Sequence, residues 1–148
     1  MEPYYTSGLV ETADELTDCY SIRIIVFVEE QAVPVEEEMD AYDLTATHFL
    51  VKQSESAEVV ATARFLDKGD GVGKIGRVAV LIEYRGKGIG ALIMSRVEQY
   101  AVEHGFSELI LEAQMSAIVF YEKLGYVAEG EVYLDCNIEH RLKMKSLA

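Results

Sequence analysis

The sequence predicts one mixed α/β (α+β) domain built round a mostly antiparallel sheet, and three observations carry that expectation. Short β-rich runs separated by polar turns fill the middle of the chain. A glycine-rich loop then opens directly into a helical pattern, and a short strand, apolar on both faces, follows that helix. The 148 residues, 50% of them apolar, can close one hydrophobic core, so residues 1–148 are read as a single domain.

Thr12-Ala13-Asp14-Glu15 reads as a capping box, and Leu16, Cys19, Tyr20, Ile24 and Phe27 follow at helical spacing. A first amphipathic helix is therefore expected to run to about Val28. Between Glu29 and Asp43, seven of fifteen residues are acidic and Pro34 interrupts, which predicts a loop or a short irregular helix. His48–Val51 and Glu58–Phe65 read as a hairpin around the turn Gln53 to Ala57. A second turn, Asp67 to Gly73, leads into a central strand from Lys74 to Leu81. Leu92, Ile93, Arg96, Val97, Tyr100 and Ala101 mark a long helix that stops at His104-Gly105. Leu109-Ile110-Leu111 has the pattern of a buried parallel strand, and Ser116 is placed to cap a short helix through Leu124, ended by Gly125. Tyr126–Val132 and Glu139–Lys145 read as the last two strands.

Composition narrows the function. Thirteen basic against 26 acidic side chains give a formal charge of −13, which repels nucleic-acid backbones and anionic membranes. No apolar run reaches the roughly 18 residues of a membrane span. No signal peptide is visible at the N-terminus, and Cys19 and Cys136 lack metal-ligand or CxxC spacing, so a reduced, cytoplasmic setting without a metal is expected.

The strand Gly76–Leu81 feeds Arg85-Gly86-Lys87-Gly88-Ile89-Gly90, and the long helix starts at once. Backbone N–H groups converge there at the positive end of a helix, the glycines remove Cβ atoms that would bar a diphosphate, and Arg85 and Lys87 add positive charge. Taken alone, the loop reads equally as an anion site and as a tight turn that begins a helix. Gly86-x-Gly88-x-x-Ala91, with Glu112 about 20 residues on, also satisfies a dinucleotide fingerprint. Against a nicotinamide-binding oxidoreductase, only one more helix follows and the preceding strands look antiparallel. A Walker loop is excluded because no Gly-Lys-Ser or Gly-Lys-Thr occurs.

The order of elements, the loop Arg85–Gly90 and the stretch Phe120-Tyr121-Glu122-Lys123-Leu124-Gly125-Tyr126 together resemble the GNAT superfamily of N-acetyltransferases over nearly the whole chain. The run Arg23 to Asp40, with Val26-Phe27-Val28-Glu29-Glu30-Gln31 and Val33-Pro34, is similar to the ElaA-like branch. The segment Gly130–Tyr133 followed by Ile138-Glu139-His140 is similar to glyphosate N-acetyltransferase-type members. This resemblance implies helices on both faces of a sheet that splays at the cofactor strand, and acetyl-CoA (coenzyme A) as co-substrate. It puts the pyrophosphate on Arg85, Gly86, Lys87, Gly88, Ile89 and Gly90 and the pantetheine on the backbone of Val78, Ala79 and Val80. Gln114, Phe120, Tyr121 and Lys123 complete the cofactor side.

The resemblance further implies direct acetyl transfer to a primary amine within a ternary complex. Tyr121 falls on the family's general acid, since a phenol stays protonated at neutral pH and can donate to a departing thiolate; residue type alone favours a packed tyrosine, and its position in the motif reverses that. His140 falls on the general base of the glyphosate N-acetyltransferase-type members. Strand alternation sets it with Leu142 and Met144, pointing inward and away from Arg141, Lys143 and Lys145, although a core histidine fits as well. His104 reads as surface, and His48 as either core or substrate-facing. The acidic segment is a candidate anionic wall for a cationic, small-molecule amine acceptor, or a solvated charge run. Val28 and Met115 stand where arginines would bind an acidic acceptor. A non-catalytic acyl-CoA-binding module is the alternative, and a homodimer is expected only by analogy.

Overall fold

A computed structural model describes residues 4–147. Its seven-stranded sheet has the order β1-β2-β3-β4-β5-β7-β6. The strands are β1 (Tyr5–Leu9), β2 (Thr47–Gln53), β3 (Val59–Asp67), β4 (Val72–Val80), β5 (Glu108–Gln114), β6 (Val127–Asp135) and β7 (Ile138–Ser146). Only β4 and β5 pair in parallel, joined by the crossover helix α3 (Ile89–Glu103). The expected mixed, mostly antiparallel sheet is therefore present, with one strand, β1, that the sequence reading did not anticipate. No helix among the described residues is long and apolar enough to cross a membrane.

Helices cover both faces. On one side Ile93, Met94, Val97 and Ala101 of α3 pack on Phe49, Val51, Ala61, Phe65 and Leu109. On the other, α1 (Ala13–Arg23) begins at the expected capping box, with Glu15 N–H donating to Thr12 Oγ1 at 3.1 Å. Its buried stripe is Cys19, Ile22, Arg23 and then Val26, against Leu50, Val59 and Ala79. Two expectations are corrected here. The α-helix ends at Arg23, and Ile24–Glu30 continues as a π-helix; the inward stripe keeps helical spacing from Cys19 but runs through Ile22, Arg23 and Val26 rather than Tyr20, Ile24 and Phe27, because Arg23 is turned inward onto Glu38 and Asp43.

The acidic segment contains α2 (Val35–Glu38) and a 3₁₀ turn, Ala41–Leu44. The last short helix, α4 (Ile118–Lys123), follows a 3₁₀ turn, Met115–Ala117, and carries no side-chain cap. The cap expected from Ser116 is thus absent, because the 3₁₀ turn moves the helix start to Ile118.

The feature that positions the site is in β4. Arg77 adopts φ +53°, and the β3–β4 register slips between Thr62/Ala79 and Arg64/Gly76. The extra residue inverts the faces: Ile75 points to α3, whereas Ala79 points to α1. Pairing of β4 with β5 stops at Ile75/Leu111. Beyond it the two strands part.

Candidate active site

The gap between the parted strands opens into a cavity of about 950 Å³. The structure brings most of the expected residues to it: Val78, Ala79 and Val80 from β4, then Arg85, Gly86, Gly88, Ile89 and Gly90, then Gln114 at the end of β5, Phe120 and Tyr121 of α4, and His140 of β7. Lys87 and Lys123 are exposed and do not line it.

The β4 residues divide the work. Leu81 N–H donates to Val60 O at 3.0 Å, so in the alternation of the ladder Ala79 spends its main-chain groups on Thr62. Val80 then turns its own toward the opening. There Val80 O accepts from Arg85 Nε at 2.9 Å. In the loop, Gly88 holds φ +79° at the start of α3 with open space where a Cβ would stand. At Gly90 a Cβ would lie 3.0 Å from the Phe120 ring. Glycine there lets α4 close on the first turn of α3, which seats the tyrosine of α4 beside the loop.

Tyr121 is 9% exposed and packs edge-on against Phe120 and Tyr126. Burial pushes its phenol up to about 12, so it is a proton donor throughout the neutral range. His140 pairs with Gln114 across β5–β7, stacks on Tyr133 and has Nδ1 2.7 Å from Ile138 O. It is buried and lines the cavity, as alternation requires. The opposite face of β7 is covered in its second half. Lys143 there is 0% exposed and donates to Glu122 of α4, and Lys145 donates to Leu124 O, which corrects the reading of that face as outward. His104 is exposed, bonded to Tyr100 O, and His48 is buried, its Nε2 3.0 Å from Asp43 O. Neither lines the cavity.

The acidic segment also differs from its reading. Arg23, 1% exposed, donates to Glu38 and Asp43; Arg64 donates to Asp40 and Asp43; Arg77 pairs with Glu38 and Asp40. Three guanidinium groups thus neutralise three of the seven acids, and Glu30 is taken by Arg85. It is not an uncompensated anionic wall. Burial raises the Glu38 carboxyl despite Arg77 and Arg23. For Asp40 and Asp43, burial also acts upward, but Arg64, joined by Arg77 at Asp40 and by Arg23 at Asp43, outweighs it and holds both low. A charged residue in the apolar run Val59–Phe65, Arg64, was the one sequence signal for this network.

Fold and cavity define the class: a splayed sheet with a glycine loop at the head of the crossover helix is an acyl-CoA N-acyltransferase fold. The chain matches the Acetyltransferase (GNAT) family over residues 9–126 and belongs to that family. It is 38% identical over 138 residues to the "Uncharacterized N-acetyltransferase YjcF" of Bacillus subtilis, covering 93% of this chain and 96% of that one. Among solved structures it is similar to an acyl-CoA N-acyltransferase from Pseudomonas aeruginosa (TM-score 0.82, 30% identity, 97% of this chain and 99% of that one). It is likewise similar to Escherichia coli ElaA (TM-score 0.83, 27% identity, 97% and 99%). The dinucleotide reading of the glycine loop falls with the sheet, which has one parallel pair where that fold needs a run of them.

The residues present fit an acyl-CoA. The Cβ-free face at Gly88 adjoins the helix start, and the β4 edge left unpaired after Ile75 can accept an extended amide chain as a strand does.

Proposed function

We propose that this protein transfers an acetyl group from acetyl-CoA to a primary amine by direct attack within a ternary complex. One observation carries the reading: the β4–β5 ladder ends at Ile75/Leu111, and the opening so made has the glycine loop, Tyr121 and His140 on one cavity.

Acyl-CoA would supply a thioester carbonyl. The main chain of Gly86, Gly88 and Gly90 would hold its phosphates, and Val80, with Val78 at the bulge, would align its amide arm. A main-chain N–H of β4 directed into the opening stabilises the oxygen as it gains negative charge. His140 takes the proton that the attacking nitrogen loses, and Tyr121 gives one to the sulfur as the C–N bond forms and the C–S bond breaks. Because the acidic segment is largely spent on arginines, selection of a cationic amine would fall to Glu37 and Asp135. Both line the cavity and enter no ion pair among the described residues. A cytoplasmic setting suits the two unpaired cysteines.

The test is thiol release from acetyl-CoA across a panel of primary amines, with calorimetry of CoA and of nicotinamide nucleotides alongside. Amine-dependent release is expected. CoA binding without release from any amine would favour a binding module, and nicotinamide binding would defeat the reading.

A further inference from the structure

The run Ile24–Gln31 has no part in the chemistry above, yet its first seven residues, Ile24–Glu30, form a π-helix. Such segments are rare and concentrate at functional sites. Here the wide turns bring two consecutive residues to opposite walls of the splay. Glu30 takes Arg85, which follows β4, through both carboxylate oxygens, Oε1 at 2.8 Å and Oε2 at 3.1 Å. The same guanidinium gives its Nε to Val80 O at the open strand edge. Gln31 Oε1 accepts from Gln114 Nε2 at 2.7 Å, at the far end of β5. Gln31, Arg85 and Gln114 all line the cavity.

We propose that Glu30 and Gln31 are positioning residues that brace the mouth of the splay, one to each diverging strand, and so set the width of the channel that takes the pantetheine arm. Beyond Ile75/Leu111 no ladder bonds hold β4 and β5 at a fixed separation. Two side-chain links, one from the last residue of the π-helix and one from the residue that caps it, replace them. Arg85 therefore serves the cofactor through its geometry rather than as a free phosphate-binding charge, because Glu30 already occupies its fork. The phosphates are left to the main chain of the loop. This inference rests on acyl-CoA being the co-substrate.

The experiment is calorimetric CoA binding to the full chain and its variants, with the thermal midpoint of each ligand-free protein measured in parallel. Glu30→Ala is expected to weaken CoA about tenfold, the size of a lost charge-assisted pair. Glu30→Gln, which keeps one acceptor for Arg85, should recover most of that loss. Gln31→Leu should weaken CoA about fivefold. Added to Gln114→Leu it should cost nothing further, since the two side chains act as one link. Unchanged CoA affinity with a lowered midpoint would reduce the brace to a structural contact and overturn the proposal. So would tighter binding by Glu30→Ala, which would make Glu30 a competitor of the cofactor. Failure of the unaltered protein to bind CoA would instead overturn the co-substrate reading itself, and the brace with it.

Discussion

The two halves of the cavity are built by opposite means. The cofactor half is local and largely main chain: residues 78–90 of a strand, a loop and a helix start, with Gly90 pressed under Phe120. The opposite half is assembled from distant segments, with α1, α2, the 3₁₀ turn Ala41–Leu44, β3 and the β4 bulge held together by Arg23, Arg64 and Arg77 on Glu38, Asp40 and Asp43. A local main-chain site depends on backbone conformation and fails one residue at a time. A network of buried ions depends on every partner, because each charge left alone in a dry interior costs far more than the pair gains.

The largest expected effect tests that difference. Arg23→Met nearly keeps the volume but takes one of two arginine partners from each of Glu38 and Asp43, both buried, leaving them Arg77 and Arg64, and should lower stability in urea by about 3–5 kcal/mol. A loss below about 1 kcal/mol would show that the network is solvated and that the two halves are not differently built.

Tyr121→Phe comes next. The ring keeps its edge contacts with Phe120 and Tyr126, so folding and CoA affinity should hold while turnover falls about 10²-fold, read as kcat with acceptor saturating. Equal turnover would remove Tyr121 as the acid. Smaller again is Gly88→Val, where a β-branched side chain is strained at φ +79° and its Cβ enters the face left open for the anion. CoA should bind about tenfold more weakly, with little change in the acid sensitivity of the other half.

The same contrast explains what the sequence could disclose. The glycine loop, α3, β5 and the Phe120–Tyr126 stretch are contiguous, so spacing and turn chemistry reveal them, and Tyr121 could be placed from its segment alone. The bulge at Arg77 left no such mark, since an arginine at positive φ follows from its partners Glu37, Glu38 and Asp40 rather than from its own preference. The π-helix was hidden for a similar reason: Ile24–Glu30 has helical composition, and only tertiary contacts at Glu30 and Gln31 show why the wider turn is kept. The acidic run could not be told from a solvated charge run because its arginines lie up to 55 residues away in sequence. His140 was placed correctly by alternation, but Lys143 was misread, because α4 covers a strand face that a row of basic residues would otherwise leave to water.

The smallest effect is the pH dependence of the ion network, and its sign distinguishes the three acids. Asp40 and Asp43 are held below their ordinary values in the folded protein. Their contribution is full above the unfolded carboxylate range and is lost as pH falls through the depressed folded values. Glu38 is raised. Its contribution is full below the unfolded value and is lost as pH rises through the raised one, so it opposes the aspartates, in a window that lies above theirs. Acidification from about pH 6 to about pH 3 should therefore destabilise the protein less than two paired aspartates alone would dictate. Asp40→Asn removes one depressed group and should make the fall in urea midpoint with pH shallower. Glu38→Gln lowers stability at neutral pH by breaking the Arg23 pair, and it should nonetheless make the acid slope steeper by removing the opposing titration. If both variants shifted the slope in the same direction, the Glu38 carboxyl would be held low like those of its neighbours, and burial would not outweigh its arginines.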